Sequence, residues 1–439
     1  MTLEVPADCI QEVDPAAPGD PMHGDMYAPR PRGTFLRIIG PGFLSGMAGN
    51  DPSAVTAYAV NGAVAGYGQL WLMFLSTPLY QAVQFACAKI GRVSQRGLSE
   101  ILREHYGRPL AGLISLLLVI SNLALIGADL SAIGSGLELI TGLRWYWFVI
   151  PVGVVLWYVM VYHNFETFKK VFLTMSFAFA TYILTAFFSH ADWKAVLVNT
   201  LVPHLGFDFT SISSAVALLG ATLSPYSMFW QAQKEKEQKR PGTAQQQMRS
   251  AGIDVATGTI GGNLVSYFII ICTSATLFVH HQSINTAVDA ARALEPLAGP
   301  LARYLFAIGL IGAGIVAIPV LVSSASYAVA GTFDWPSGLS KRPWQDAGFY
   351  LVLTAALLVG LIIALLGINP IRLIFWANVL AGVLAPLLVI TILIIGNNRR
   401  IMRDQRLSLI HNFFLVLSTA IVIVAVAMLF YGLATGRGG

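Results

Sequence analysis

The stretch MAGNDPSAV, residues 47–55, places an aspartate and a proline inside a long apolar segment. Asp51 is the only charged residue between Arg37 and Lys89. Pro52 lacks a backbone donor and clashes with the preceding turn, so a helix that runs through it must bend or break. A carboxylate within a membrane-spanning segment is costly and usually marks a pathway for ions or substrate.

The composition of the chain is that of a membrane protein. Hydrophobic residues make up 56% of the 439 residues and charged residues only 11%, against about 25% charged in an ordinary soluble domain. Apolar runs of about 20 residues, enough to cross a hydrocarbon core, recur along the chain. The sequence therefore predicts an all-α integral membrane protein. It contains neither a nucleotide-binding loop nor a nucleophile arrangement, so we expect no enzyme activity and no cofactor.

Eleven apolar spans are predicted. We place them at residues 35–66, 68–90, 109–135, 145–163, 168–189, 210–232, 253–280, 301–330, 347–367, 370–395 and 408–432.

The distribution of basic residues predicts the orientation. With the N-terminus in the cytoplasm, 21 of the 27 Lys and Arg residues fall on the cytoplasmic side and 6 on the outside. This asymmetry favours a multi-pass protein of the plasma (inner) membrane whose C-terminus is extracytoplasmic. The net charge of +5 is explained in the same way and indicates no nucleic-acid partner. The segment KEKEQKR, residues 234–240, is expected to be a solvated helix end.

A second break is predicted in the sixth span, where GATLSPY, residues 220–226, places Pro225 among small and polar residues. Corresponding interruptions in two halves of a chain indicate an inverted-repeat transporter with its site at the midplane. We therefore predict a LeuT-like 5+5 inverted repeat with broken helices 1 and 6. Its predicted parts are a disordered cytoplasmic tail at 1–33 and one transporter domain at 34–439, with repeats at 35–190 and 210–395 and an extra helix at 408–432.

Asp51 itself has two interpretations. It can cap the second half-helix of span 1, because aspartate is a good N-cap and proline suits the position that follows. It can also bind a cation, because a carboxylate beside unwound carbonyls supplies hard oxygen ligands. The two roles are compatible, and we favour the cation site.

The residues around both breaks resemble a known family. GPGFLSGMAGNDPSA, followed by GYGQLW and LSEILREHYG, is similar to spans 1 and 2 of the Nramp family of divalent metal transporters. That family carries Asp-Pro-Gly-Asn in span 1 and Met-Pro-His in span 6. Asp51 and Pro52 match the first signature, whereas Ser53 replaces its glycine and Ala54 replaces its asparagine, a usual metal ligand.

The match in span 6 is looser. The resemblance implies that Ala221 supplies a backbone carbonyl ligand, that Ser224 replaces the ligand methionine, that Pro225 is kept and that Tyr226 replaces the histidine. Further candidate ligands are Asn378 in span 10, the carbonyl of Ala48, and Thr56.

Asp129 in span 3 matches an acidic position on the family's proton route, but the second acid of that route is absent because position 132 is alanine. Asp129 is alternatively a buried aspartate that forms hydrogen bonds near Ser131 and Asn122. The loss of the histidine and of the second acid favours uniport over proton coupling.

The substitutions also favour a harder ion. Methionine sulfur prefers softer transition metals, whereas Mg²⁺ keeps several waters in a site of one or two carboxylates. The chain therefore resembles the Nramp-related branch that includes magnesium transporters, and the expected partners are Mg²⁺ or Mn²⁺ as transported substrate and the lipid bilayer, with no obligate protein partner. The alternatives are a proton-coupled manganese or iron symporter, an amino-acid or other organic-solute symporter of the same architecture, and an inactive receptor-like membrane protein.

Overall fold

The architecture was taken from a computed structural model of the chain. The predicted tail at 1–33 and most of the predicted fifth span lie outside the residues that the structure describes. The described residues are 40–162, 183–204, 206–238, 240, 242–282, 284–285, 287–291, 299, 302–339 and 345–435.

The described chain is almost entirely helical. Its first helices are α1 (Pro41–Ala48), α2 (Pro52–Ala65), α3 (Leu70–Ser94), α4 (Leu98–Tyr106), α5 (Arg108–Thr141), α6 (Tyr146–Tyr162) and α7 (Trp193–Leu201). The later helices are α8 (Phe209–Thr222), α9 (Pro225–Glu237), α10 (Ala244–Thr273), α11 (Ala287–Ala291), α12 (Ala302–Phe333), α13 (Ala347–Leu365), α14 (Pro370–Asn397), α15 (Arg399–Met402) and α16 (Leu409–Ala434). A π-helical turn at Ser274–Phe278 extends α10.

Seven helical segments in the described part of the chain are long and apolar enough to cross a membrane, with the broken segment Phe209–Glu237 taken as one. They correspond to the predicted spans 3 and 6 to 11. The 17-residue helix α6 occupies the fourth predicted span, and α3 occupies the second. The multi-pass helical architecture is thereby confirmed.

Both predicted breaks are confirmed, and proline explains where each lies. Span 1 is divided into α1 and α2, and span 6 into α8 and α9. Pro52 and Pro225 each stand at the start of the second half-helix. In a continuous helix they would donate to the carbonyls of Ala48 and Ala221, four residues earlier, but proline has no N–H. Each proline thus removes the usual donor of one carbonyl.

Close backbone packing holds the first break in place. A Cβ atom at Gly46 in α1 would overlap the backbone of Gly258 in α10, so only glycine permits this approach. At the break, the Asn50 Nδ2 atom donates to the Gly262 carbonyl (3.1 Å), and Asn50 Oδ1 accepts from the Ser266 hydroxyl (2.8 Å). Both polar groups of the Asn50 side chain therefore anchor the unwound segment to α10.

The segment KEKEQKR is not the solvated helix end that its charges suggest. Glu235 is completely buried and accepts hydrogen bonds from Arg92 (2.7 Å) and Arg240 (2.7 Å). Arg240 also donates to Asp254 at 2.8 Å. Two arginines and two acids thus form a neutral buried cluster, which compensates the cost of removing each charge from water. We call the end of the bundle that carries this cluster the basic end.

The cluster also fixes the start of α1. Asp254 accepts hydrogen bonds from the backbone N–H groups of Gly40 (2.7 Å), Gly42 (2.9 Å) and Phe43 (3.0 Å). N–H groups at the start of a helix have no acceptor within the helix, and the helix dipole favours a carboxylate beside them. Burial opposes the charged form of Arg240, but hydrogen bonds and charge from Glu235 and Asp254 raise the pKa of its guanidinium above the ordinary value.

We expect Arg240→Gln to destabilise the protein by about 3–5 kcal/mol, because it leaves buried acids without their cation. The measurement is the midpoint of thermal unfolding in detergent. Asp334→Asn is the matched control, since Asp334 pairs with Arg103 at the surface and its side chain is 67% exposed. Equal shifts in the two variants would contradict a structural role for the buried cluster.

Candidate metal-transport site

Asp51 lies at the first break and is 3% exposed. Its Oδ1 atom accepts hydrogen bonds from the Ala54 N–H (2.6 Å) and from the Ser53 hydroxyl (2.6 Å). The prediction that Asp51 caps the second half-helix is therefore confirmed. The donor in this bond is the backbone N–H of residue 54. The cap therefore does not depend on the side chain at this position, which is alanine here and asparagine in the signature.

The second oxygen of Asp51 joins the two breaks. The Tyr226 hydroxyl, at the start of α9, donates to Asp51 Oδ2 at 2.8 Å, and Tyr226 is itself buried. Sequence reasoning placed Tyr226 only at the helix break and missed this contact. The sequence signal for this contact is the position of Tyr226 directly after Pro225, where its phenol can reach the opposing break.

Asp129 approaches the same place from α5. Its Oδ1 atom accepts from the backbone N–H of Ser53 at 3.0 Å, and it is completely buried. Its other oxygen has no hydrogen-bond partner among the described residues. Asp129 is thus a buried, hydrogen-bonded aspartate, as the alternative interpretation expected, but its partner is Ser53, since the side chains of Ser131 and Asn122 donate to Gly127 and to α12, respectively. Asp129 thus contacts the residue that follows Pro52.

Ser224 stands at the second break and caps α9 without a hydrogen bond from its side chain. Its hydroxyl lies 3.4 Å from that of Ser227, which in turn accepts from Gln84 Nε2 at 2.7 Å. Ser45 in α1 contacts both Gln84 and the Ser227 carbonyl. This polar group, which the sequence reasoning missed, lies between α1, α3 and α9 on the side of the breaks that faces the basic end.

The remaining candidates lie on different elements. Asn378 is buried in α14, and its Nδ2 atom donates to the Ile374 carbonyl (2.9 Å) of its own helix. A Cβ atom on Gly220 in α8 would overlap the Asn378 carbonyl, so α14 passes directly beside the second break. The close approach brings Asn378 next to the turn of α8 that contains Ala221.

Thr56 lies one turn into α2, where its hydroxyl donates to the Pro52 carbonyl at 2.8 Å. It lines a narrow cavity together with Ser135 and Ile371. Those two residues also line a cavity of about 510 Å³ that opens near Glu138 and Asn369, at the end opposite the basic end. The structure therefore associates Thr56 with this opening rather than with the Asp51 carboxylate.

The groups gathered at the two breaks are the carboxyl groups of Asp51 and Asp129, hydroxyls and freed backbone carbonyls. No group of three or more His, Cys, Asp or Glu side chains that could hold a metal ion occurs in the described part of the chain. Hard oxygen donors of this kind suit Ca²⁺, Mg²⁺ or Mn²⁺ rather than a soft metal. Two opposed broken helices with such donors between them define a secondary transporter of the broken-helix type.

Comparison with known proteins identifies the family. The model of the family described as "Nramp: Natural resistance-associated macrophage protein-like" matches residues 42–432. The chain belongs to the Nramp family. The Divalent metal cation transporter MntH of Deinococcus radiodurans is 24% identical over 387 residues, with 85% of this chain and 85% of that one covered.

Solved structures support the fold. A manganese transporter of Eremococcus coleocola superposes with a TM-score of 0.71 at 14% identity, covering 94% of this chain and 98% of that one. Mhp1, a nucleobase-cation-symport-1 family transporter, superposes with a TM-score of 0.56 at 12% identity, covering 89% and 92%. The LeuT-like fold with broken helices 1 and 6 is therefore confirmed, and the protein is a membrane transporter of a divalent metal family.

We expect Gly220→Ala to destabilise the protein by about 1–3 kcal/mol, because the added methyl group overpacks the contact with α14. Gly309→Ala in α12 is the control, since a Cβ atom there meets no atom within 4 Å. Alanine in an open helical position is neutral or stabilising by up to about 1 kcal/mol. Thermal unfolding in detergent distinguishes the two, and a stabilised Gly220→Ala variant would refute the close packing.

Proposed function

We propose that the protein transports Mg²⁺ and Mn²⁺ by alternating access, with Asp51 as the charged ligand. The observation that supports this is the position of Asp51: its carboxylate lies between the two broken helices and contacts both. The proposed further ligands are Ser224, Asn378 and the carbonyls of Ala48 and Ala221. Thr56 is proposed as a ligand on the route to the site.

The proposed preference for a hard, partly hydrated ion rests on the donor set. Ser224 stands where the family has methionine, and Ala54 stands where it has asparagine. These changes remove a sulfur and an amide oxygen, which leaves fewer direct ligands and more space. Mg²⁺ loses water reluctantly and is usually bound through one or two carboxylates and several waters. Asp51 with hydroxyls and carbonyls fits that description.

We propose uniport driven by the ion gradient and the membrane potential. A divalent ion that moves inward gains about 4.6 kcal/mol at 100 mV, so no co-substrate is needed. The second candidate is proton-coupled symport. One observation favours it: Asp129 accepts a hydrogen bond from the N–H of Ser53, next to Pro52, and its other carboxyl oxygen has no hydrogen-bond partner among the described residues. A proton released from Asp129 would alter the same break that carries Asp51.

We also propose that the protein lies in the plasma membrane with its N-terminus and its basic end in the cytoplasm. The asymmetry of Lys and Arg residues supports this orientation. The cavity that opens near Glu138 is then the external opening. The repeats at 35–190 and 210–395, the extra helix at 408–432 and the disordered tail at 1–33 remain predictions.

Asp51→Asn is expected to reduce Mg²⁺ and Mn²⁺ influx into liposomes by about 10-fold or more, since even loss of an outer-shell ligand partner costs about that much affinity. Influx is followed with ion-sensitive dyes inside the vesicles. Asp334→Asn removes an exposed carboxylate and is expected to leave influx unchanged.

Three other outcomes separate the alternatives. Unchanged influx in Asp51→Asn would refute the proposed site. Acidification of the vesicle interior in step with metal influx would replace uniport by proton coupling. Saturable uptake of an organic solute without metal flux would favour a solute symporter, and the absence of any flux would favour a receptor-like protein.

Ser224→Met is expected to raise the ratio of Mn²⁺ to Mg²⁺ influx, because a thioether favours the softer ion. The expected change is at least about fivefold, which corresponds to roughly 1 kcal/mol of ligand preference. Ser418→Met in α16 is the control, since Ser418 is equally buried but lies on another helix. If both variants change the ratio equally, Ser224 does not contact the ion.

A further inference from the structure

We propose that a second cavity, at the basic end, binds the headgroup of an anionic phospholipid. The cavity has a volume of about 880 Å³ and lies between α3, α10 and the segment that precedes α16. Its polar part is lined by two arginines and by glutamine amides: Arg92, Arg249, Gln95, Gln247 and Gln405. No carboxylate is among the described residues that line it.

Arg249 supplies the unbalanced positive charge of this cavity. Its side chain is exposed and has no ion pair or hydrogen bond among the described residues. Arg92 differs, because its charge is shared with Glu235, while its Nη1 atom donates to Gln247 Oε1 at 3.3 Å. Amide side chains and an unpaired guanidinium are donors suited to phosphate oxygens.

The start of α10 adds to the positive potential. The first turns of this 30-residue helix line the cavity with Ala244, Gln245, Gln247 and Met248. The N-terminal end of a helix carries a partial positive charge, which favours an anion beside it. The helix dipole and Arg249 therefore act in the same direction.

The opposite part of the cavity is apolar. It is lined by Phe85, Gly252, Ile253 and Ala256, and Ile253 is 41% exposed. The His411 ring at the start of α16 stacks on Phe85, with 4.7 Å between ring centroids. Along α3, Phe85 lies about 10 Å from Arg92, at about 1.5 Å per residue. The apolar part thus lies about two turns deeper in the bundle than the polar part.

The order of polar and apolar walls is the same on both helices. On α3, Arg92 and Gln95 stand nearer the basic end than Phe85, and on α10, Gln247 and Arg249 stand nearer to it than Ile253. A cavity with this order matches the boundary between headgroups and acyl chains. Basic pockets between transmembrane helices recognise anionic lipid headgroups in this way. A free phosphate ion shares the headgroup chemistry but would leave the apolar wall uncovered.

The experiment is native mass spectrometry of the full-length protein in detergent with added phosphatidylglycerol or phosphatidylcholine. We expect preferential retention of phosphatidylglycerol. Arg249→Gln is expected to weaken that retention about fivefold, the effect of one basic residue near a charged headgroup. Arg400→Gln is the matched control, because Arg400 is exposed on α15, outside the cavity, and its removal changes the net charge equally.

A second pair of variants tests the apolar wall. A Cβ atom at Gly252 would meet Phe85 Cε2 at 3.2 Å, so Gly252→Leu fills this part of the cavity and should reduce retention of phosphatidylglycerol. Gly112→Leu in α5, where a Cβ atom meets nothing within 4 Å, should not.

The proposal is overturned if Arg249→Gln weakens retention no more than Arg400→Gln, or if both lipids are retained equally. Calorimetric titration of inorganic phosphate distinguishes the two sources of the anion. Phosphate that binds as tightly as phosphatidylglycerol, with no effect of Gly252→Leu, would assign the cavity to a free anion and refute the lipid. Unchanged unfolding midpoints show that the variants are folded.

Discussion

The absence of water from the membrane interior is the constraint on which this structure depends. Every backbone polar group there must find a partner within the protein or line a wet path. The two breaks satisfy this constraint in one place, because Asp51 accepts from Ala54 on one side of the gap and from Tyr226 on the other. Asn50 satisfies its own amide through Gly262 and Ser266. The two prolines also remove the helical donors of the Ala48 and Ala221 carbonyls at these breaks.

The same constraint explains the buried charges at the basic end. The start of α1 exposes backbone N–H groups, and Asp254 is the anion that accepts from them. A buried anion needs a cation, which Arg240 supplies, and Arg240 in turn shares Glu235 with Arg92. This network ties α1, α3, α9 and α10 together where a path from the site to the basic end would pass. Two half-helices of the broken spans, α1 and α9, thus end in this network.

The departures from the Nramp signatures act together. Serine at 224 and alanine at 54 stand where the family's signatures carry methionine and asparagine, and the tyrosine at 226 provides a phenol where they carry an imidazole. The phenol donates to Asp51 Oδ2 and thereby orients that carboxylate. The proposed site, with the Asp51 carboxylate oriented in this way and few direct side-chain ligands, would suit an ion that keeps part of its water.

Sequence alone determined the helical membrane architecture and the two breaks, because hydropathy and proline act locally and can be recognised in a short stretch. It also predicted the capping role of Asp51, since the capping bond spans only three residues. Tertiary structure decided which groups meet across the gap. The bond from Tyr226 to Asp51 joins residues 175 positions apart, and the buried Glu235 is paired with Arg92 of α3 and with Arg240. No local pattern distinguishes a solvated charge run from a buried ion-pair cluster, because the difference lies in what packs against it.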